Sequence, residues 1–123
     1  MTDEKRQLGL DTMAKVYGWG EMTDGDGDFF GYTADHLFGE IWNRPGLTDR
    51  DRRLLLIGVL AGTGAHDVLG IQVGAAFRNE ELDAGALREI VIFVCHYAGW
   101  PVGARLNSIV EDTLTKGRQR REG

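Results

Sequence analysis

The chain has 123 residues, a length suited to a single domain over residues 1–123, and 42% of them are hydrophobic. Its 14 Lys and Arg against 19 Asp and Glu give a net charge of -5, which argues against a nucleic-acid partner, since phosphate binding needs a concentrated positive field. No run approaches the roughly 18 apolar residues of a membrane span, the start (Met1 to Leu8) is charged, and the one cysteine, Cys95, has no internal partner, so a cytoplasmic protein away from membranes is expected.

Lys5 to Trp19 reads as a short helix on Leu8, Met13, Val16 and Tyr17, preceded by frayed N-terminal residues and broken by the Gly- and Asp-rich run Gly18 to Asp28. Asp24-Gly25-Asp26-Gly27-Asp28 alternates carboxylates like the opening of a calcium loop. The loop glycine would fall on Phe29 and the closing glutamate on Asp35, so a solvated turn is the better reading. Phe29 to Trp42 reads as one helix with a stripe of Phe30, Leu37, Phe38, Ile41 and Trp42, stopped by Pro45.

Thr48 and Asp51 have the spacing of a capping box and open a polar turn, followed by the nearly all-apolar run Leu54 to Leu60, expected as a core helix. Gly62 and Gly64 end it, and Asp67 to Arg78 forms the next helix. Asp83 caps a further apolar helix through Leu87, Ile90, Val91, Val94 and Cys95. Its β-branched residues also suit a strand, but its length and helical neighbours favour a helix. Beyond Trp100-Pro101, Val102, Leu106, Ile109, Val110 and Leu114 mark the face of an amphipathic last helix, whose basic tail (Lys116, Arg118, Arg120, Arg121) is expected to be solvated and frayed. Two nearly all-apolar helices leave more buried face than one small protomer covers, so a homo-oligomer is expected.

No dinucleotide fingerprint, phosphate loop, serine elbow or metal-ligand spacing occurs. His66, opening a helix beside Asp67, and His96, beside Tyr97, are the candidate proton donors, although His66-Asp67 also suits a helix N-terminus without catalysis. Arg44, before Pro45, can hold a substrate carboxylate through its planar donors, whereas Arg50, Arg52 and Arg53 suit a solvated turn. At least one arginine is expected to be functional. Trp42, Tyr97 and Trp100 can wall a small-molecule pocket or simply pack.

The run Phe38-Gly39-Glu40-Ile41-Trp42-Asn43-Arg44-Pro45-Gly46-Leu47, followed by Arg50-x-Arg52, resembles the N-terminal half of the carboxymuconolactone decarboxylase family. Ala75-Ala76-Phe77-Arg78-Asn79, Leu87-Arg88-Glu89-Ile90 and Tyr97-Ala98-Gly99-Trp100-Pro101 resemble its C-terminal half, so the likeness covers roughly residues 28 to 110. It implies an all-α, alkylhydroperoxidase D-like helical bundle of about six helices, completed as a trimer or hexamer. The related peroxidases use a Cys-x-x-Cys pair. Ala65 and Val68 stand in those places, so thiol peroxidase chemistry is not expected.

Family decarboxylases carry a histidine four residues before the second alanine of the double-Ala motif, where this chain has Gln72, an amide that donates hydrogen bonds but shuttles no proton. The implied reaction is decarboxylation of a small carboxylated lactone or related aromatic-catabolism intermediate. Such a substrate supplies its own electron sink, so no cofactor is expected. For that reaction this sequence offers Arg44 for a substrate carboxylate, Gln72 and Tyr97 for hydrogen bonds on the lactone, His66 or His96 for protonation in place of the family histidine, and Trp42 and Trp100 for water exclusion. A related enzyme with another substrate, or a non-catalytic binding or assembly protein of the same fold, is the alternative.

Overall fold

The computed structural model describes residues 3–122, with side chains over 4–119. Met1, Thr2 and the side chains of Arg120 and Arg121 lie outside that range, and with them part of the expectation for the two ends. Among the described residues there are six α-helices and no strand, the all-α architecture expected of an alkylhydroperoxidase D-like fold. The helices are α1 (Asp3–Tyr17), α2 (Asp28–Gly31), α3 (Asp49–Thr63), α4 (His66–Arg78), α5 (Ala84–Ala98) and α6 (Trp100–Glu122). They fall into two compact units that divide between Arg52 and Arg53, inside α3.

In the first unit α1 buries Leu10, Met13, Ala14 and Val16. The single helix expected from Phe29 to Trp42 is instead three pieces: α2, a π-helical segment (Tyr32–Phe38) and a 3-10 turn (Ile41–Asn43). The wider π turn, closed by Gly39 N–H donating to the Ala34 carbonyl at 3.0 Å, faces Ala34, Asp35 and Phe38 inward together, while Leu37 and Ile41 stay exposed. A regular 3.6-residue stripe therefore does not describe this stretch. The π segment crosses α1 so closely that a β-carbon on Gly9 would sit 1.8 Å from the Ala34 oxygen, so only glycine fits there.

Asp35 is buried because Arg6 answers it. The Arg6 Nε donates to Asp35 Oδ1 at 2.8 Å, Nη2 to Oδ2 at 3.2 Å, and Nη1 to Asp24 Oδ1 at 2.7 Å. Asp24 is thus turned onto an arginine. The Arg6 hydrogen bonds hold the Asp35 and Asp24 carboxyls below the usual carboxylate range, and Lys5, then His36, does the same for Glu40.

In the second unit one apolar cluster is made by Ile57 and Ala61 of α3, Leu69, Val73 and Ala76 of α4, Leu82, then Leu87, Val91 and Cys95 of α5, and Leu106, Val110 and Leu114 of α6. The caps are those the sequence implies. Asp51 N–H donates to the Thr48 hydroxyl at 3.1 Å, and Ala86 N–H donates to Asp83 Oδ1 at 2.8 Å. Gly103 lets α6 approach α5, since a β-carbon there would lie 2.1 Å from Cys95 Sγ. α6 continues to Glu122, with Lys116 paired to Asp112 at 3.0 Å.

The apolar helices are not apolar-buried all round. α3 buries only Arg53, Ile57 and Ala61, one stripe at four-residue spacing, and α5 buries Leu87, Val91 and Cys95. Leu55, Val59, Ile92 and Phe93 are exposed, so the core-helix expectation holds for one face of each.

The depressed carboxyl pKa values fix a pH dependence for the first unit. Their stabilisation is fully present above the unfolded carboxylate range, about pH 4, and is lost as pH falls through the lower folded values. Arg6→Met removes it for Asp35 and Asp24. Urea titrations should show Arg6→Met less stable at pH 7, and losing less stability than wild type between pH 5 and pH 3. Equal pH slopes would contradict this.

Candidate active site

The most buried charge in the second unit is Arg53, which the sequence places in a solvated turn. The structure corrects that expectation: the residue is 1% exposed. It sits where α3 turns its first buried stripe inward, and Ile57 and Ala61 follow it at four-residue spacing. A buried guanidinium needs a counter-ion and full hydrogen bonding. Glu81 supplies both, accepting from Nε at 2.8 Å and from Nη2 at 3.3 Å. The third arm, Nη1, donates to the Gln72 Oε1.

Gln72 is itself buried, on the inner face of α4 with Leu69, Val73 and Ala76. Arg53 takes the oxygen end of its amide, so what Gln72 can offer a ligand is the Nε2 end, a donor. Periodicity could not reveal this network, because its partners lie 19 and 28 residues from Arg53. The one sequence signal was an arginine in phase with Ile57.

His66 is the first residue of α4, and the N-cap is Ala65, which makes no side-chain cap. The imidazole is half-buried, its Nδ1 is fully buried, and that nitrogen has no hydrogen-bond partner. Asp67 therefore does not orient the ring through Nδ1. His66, Asp67, Val68, Gly64, Ala65 and Arg105 of α6 line a pocket of about 320 Å3. Six residues separate His66 from Gln72, about 240° around the helix axis, so the two leave α4 on different faces.

His96 is exposed at the end of α5. Its Nδ1 lies 2.7 Å from the Ile92 carbonyl, a contact that requires the proton on Nδ1 and leaves Nε2 as the acceptor of the neutral ring. Trp100 stands edge-on to it, with ring centroids 5.8 Å apart, so the structure brings these two candidates together. Tyr97 is 82% exposed and packs against Phe93 at 5.0 Å. Tyr97, Phe93, Leu54, Ile90 and Val94 line an apolar groove of about 570 Å3.

In the first unit Trp42 is buried and stacked on Phe38, with centroids 6.2 Å apart. Arg44 is exposed at the exit of the 3-10 turn, where its backbone is extended (ψ 142°) as the following Pro45 requires. Its carbonyl accepts from Arg52 Nη2 at 2.8 Å, and Arg52 also bonds the Leu47 carbonyl, so Arg52 braces this exit. Ala65 and Val68 occupy the start of α4, and Cys95 is buried and in no disulfide.

Removing one member of a buried ion pair strands the other charge, at a cost of about 3–5 kcal/mol. Arg53→Met should lower the urea-unfolding free energy by that amount, and Arg53→Met with Glu81→Gln should recover part of the loss. A loss under about 1 kcal/mol for the single variant would show the pair to be incidental.

No family model matches the sequence. No solved structure matches it either. Among curated proteins, the chain is 30% identical to the 4-carboxymuconolactone decarboxylase of Acinetobacter baylyi, over 93% of this chain and 90% of that one. It is also 32% identical to the nitrosuccinic acid decarboxylase npaB of Metarhizium robertsii, over 72% of this chain and 64% of that protein. Similarity of that extent to the first of these, on an all-helical chain, establishes that this protein belongs to the carboxymuconolactone decarboxylase family.

Proposed function

We propose that the protein is a cofactor-free decarboxylase of a small carboxylate substrate, with His66 as its proton donor. The observation that carries the assignment to His66 is its place in the lining of a pocket at the start of α4, with a buried Nδ1 that no protein group among the described residues holds. A buried nitrogen without a partner costs about 1–3 kcal/mol, and in native proteins such groups accompany strain, a catalytic role, or a bound water, ion or ligand. The assignment of reaction class is supported by the two decarboxylases to which the chain is similar.

The names of those relatives denote small carboxylates that carry their own electron sink, a lactone carbonyl in one and a nitro group in the other. Loss of CO2 breaks a carbon–carbon bond and sends its electron pair to that sink, so neither metal nor organic cofactor is called for. The remaining step is delivery of one proton to carbon, which an imidazolium performs near neutral pH. His96 is the less suited donor: its ring is exposed and its Nδ1 is committed to Ile92. The exposed apolar residues of α3 and α5 support the further reading that the working form is a homo-oligomer, a trimer or hexamer.

The test is CO2 release from 4-carboxymuconolactone and from nitrosuccinate in the presence of a chelator. His66→Asn should lower kcat by about 10²–10⁴ with KM within threefold, while His96→Gln should stay within threefold of wild type. Unchanged turnover in His66→Asn would remove the assignment, and absence of CO2 from both compounds would remove the reaction on these substrates.

A further inference from the structure

The run Asp24-Gly25-Asp26-Gly27-Asp28 plays no part in the proposed reaction, and its two Asp-Gly pairs are held differently. Asp24 is locked. Its Oδ1 accepts from Arg6 Nη1 at 2.7 Å and from its neighbour's Gly25 N–H at 2.8 Å, and Arg6 holds its carboxyl below the usual range. Asp26 is exposed, and among the described residues it has neither a hydrogen-bond nor an ion-pair partner. Gly27 behind it is exposed too, and nothing lies within 4 Å of where a β-carbon would stand, so no side chain shields its amide nitrogen.

We infer that Asp26-Gly27 is a site of aspartate isomerisation, a backbone modification from which Arg6 protects Asp24-Gly25. The Gly27 nitrogen adds to Asp26 Cγ in the protonated carboxyl, whose hydroxyl leaves with the amide proton as one water, and a five-membered succinimide forms. Water then opens the ring. Cleavage at Cγ restores aspartate, whereas cleavage between the nitrogen and the main-chain carbonyl carbon leaves the chain running through the side chain, as isoaspartate. Mass and oxidation state are unchanged. At Asp24 the same attack is blocked, because the Gly25 amide presents its hydrogen to the carboxylate and the guanidinium keeps that carboxylate ionised, the form an amide nitrogen does not attack.

The position gives the modification a structural effect. Asp26 is the one residue between two anchors: Arg6 Nη1 also donates to the Gly25 carbonyl at 3.2 Å, and the Gly27 carbonyl accepts from Gly31 N–H at 2.9 Å to close the first turn of α2. Isoaspartate adds one backbone carbon there and slackens the link.

The test ages the full chain at neutral pH, folded and in urea, and locates isoaspartate by electron-transfer fragmentation, which cleaves at its extra backbone carbon. The ratio of isomerisation at Asp26 to that at Asp24 should be at least fivefold larger in the folded chain than in urea. Arg6→Met should raise the Asp24 rate at least threefold and leave Asp26 within twofold of wild type, with Arg6→Lys between. In the isoaspartate form, hydrogen exchange at Gly31 should be at least threefold faster. No isoaspartate at Asp26, a ratio unchanged by folding, or an Asp24 rate unmoved in Arg6→Met would overturn the inference, and unchanged exchange at Gly31 would remove the slackening.

Discussion

The buried guanidinium of Arg53 is the constraint on which the second unit depends. A charge at 1% exposure stays in place only if its counter-ion reaches it, and that counter-ion comes from beyond the end of α4. The chain makes the turn through Glu80, the one non-glycine residue with positive φ (57°) among those described, so a backbone conformation that costs about 1–2 kcal/mol is held where it delivers Glu81. Gln72, in the middle of α4, takes the remaining arm. α3, α4 and the turn before α5 are thereby fixed by one hydrogen-bonded group as well as by apolar packing. The start of α4, where His66 sits, inherits that placement.

Local chemistry was legible in the sequence and tertiary choice was not. Thr48 with Asp51, and Asp83 with Ala86, form the expected caps because a cap is decided within four residues. Pro45 dictated an extended Arg44 for the same reason. The stretch from Phe29 to Trp42 departs from a single helix because Asp35 is drawn inward by Arg6, 29 residues away, and a π turn accommodates it. Arg53 looked like its neighbours Arg50 and Arg52. Only the arrival of Glu81 distinguishes it.

The candidate site was half legible. His66 was marked by its place at a helix start, and the structure adds what no spacing shows, that its Nδ1 is buried and unpartnered and that Arg105 shares its pocket. Gln72 was marked by the family pattern, and its neighbour explains its chemistry. Beside a buried guanidinium an amide oxygen is a natural acceptor, whereas an imidazole there would be disfavoured in its charged form.

The central claim is that the protein, not solvent, delivers the proton, and the most direct measurement is the stereochemistry of deuterium in the product of turnover in D2O. With an imidazole fixed at the start of α4, deuterium should enter one face of the carbon that receives it, giving a single enantiomer of the labelled product. Equal labelling of both faces would mean that the carbanion is released and quenched by water, and would contradict the account.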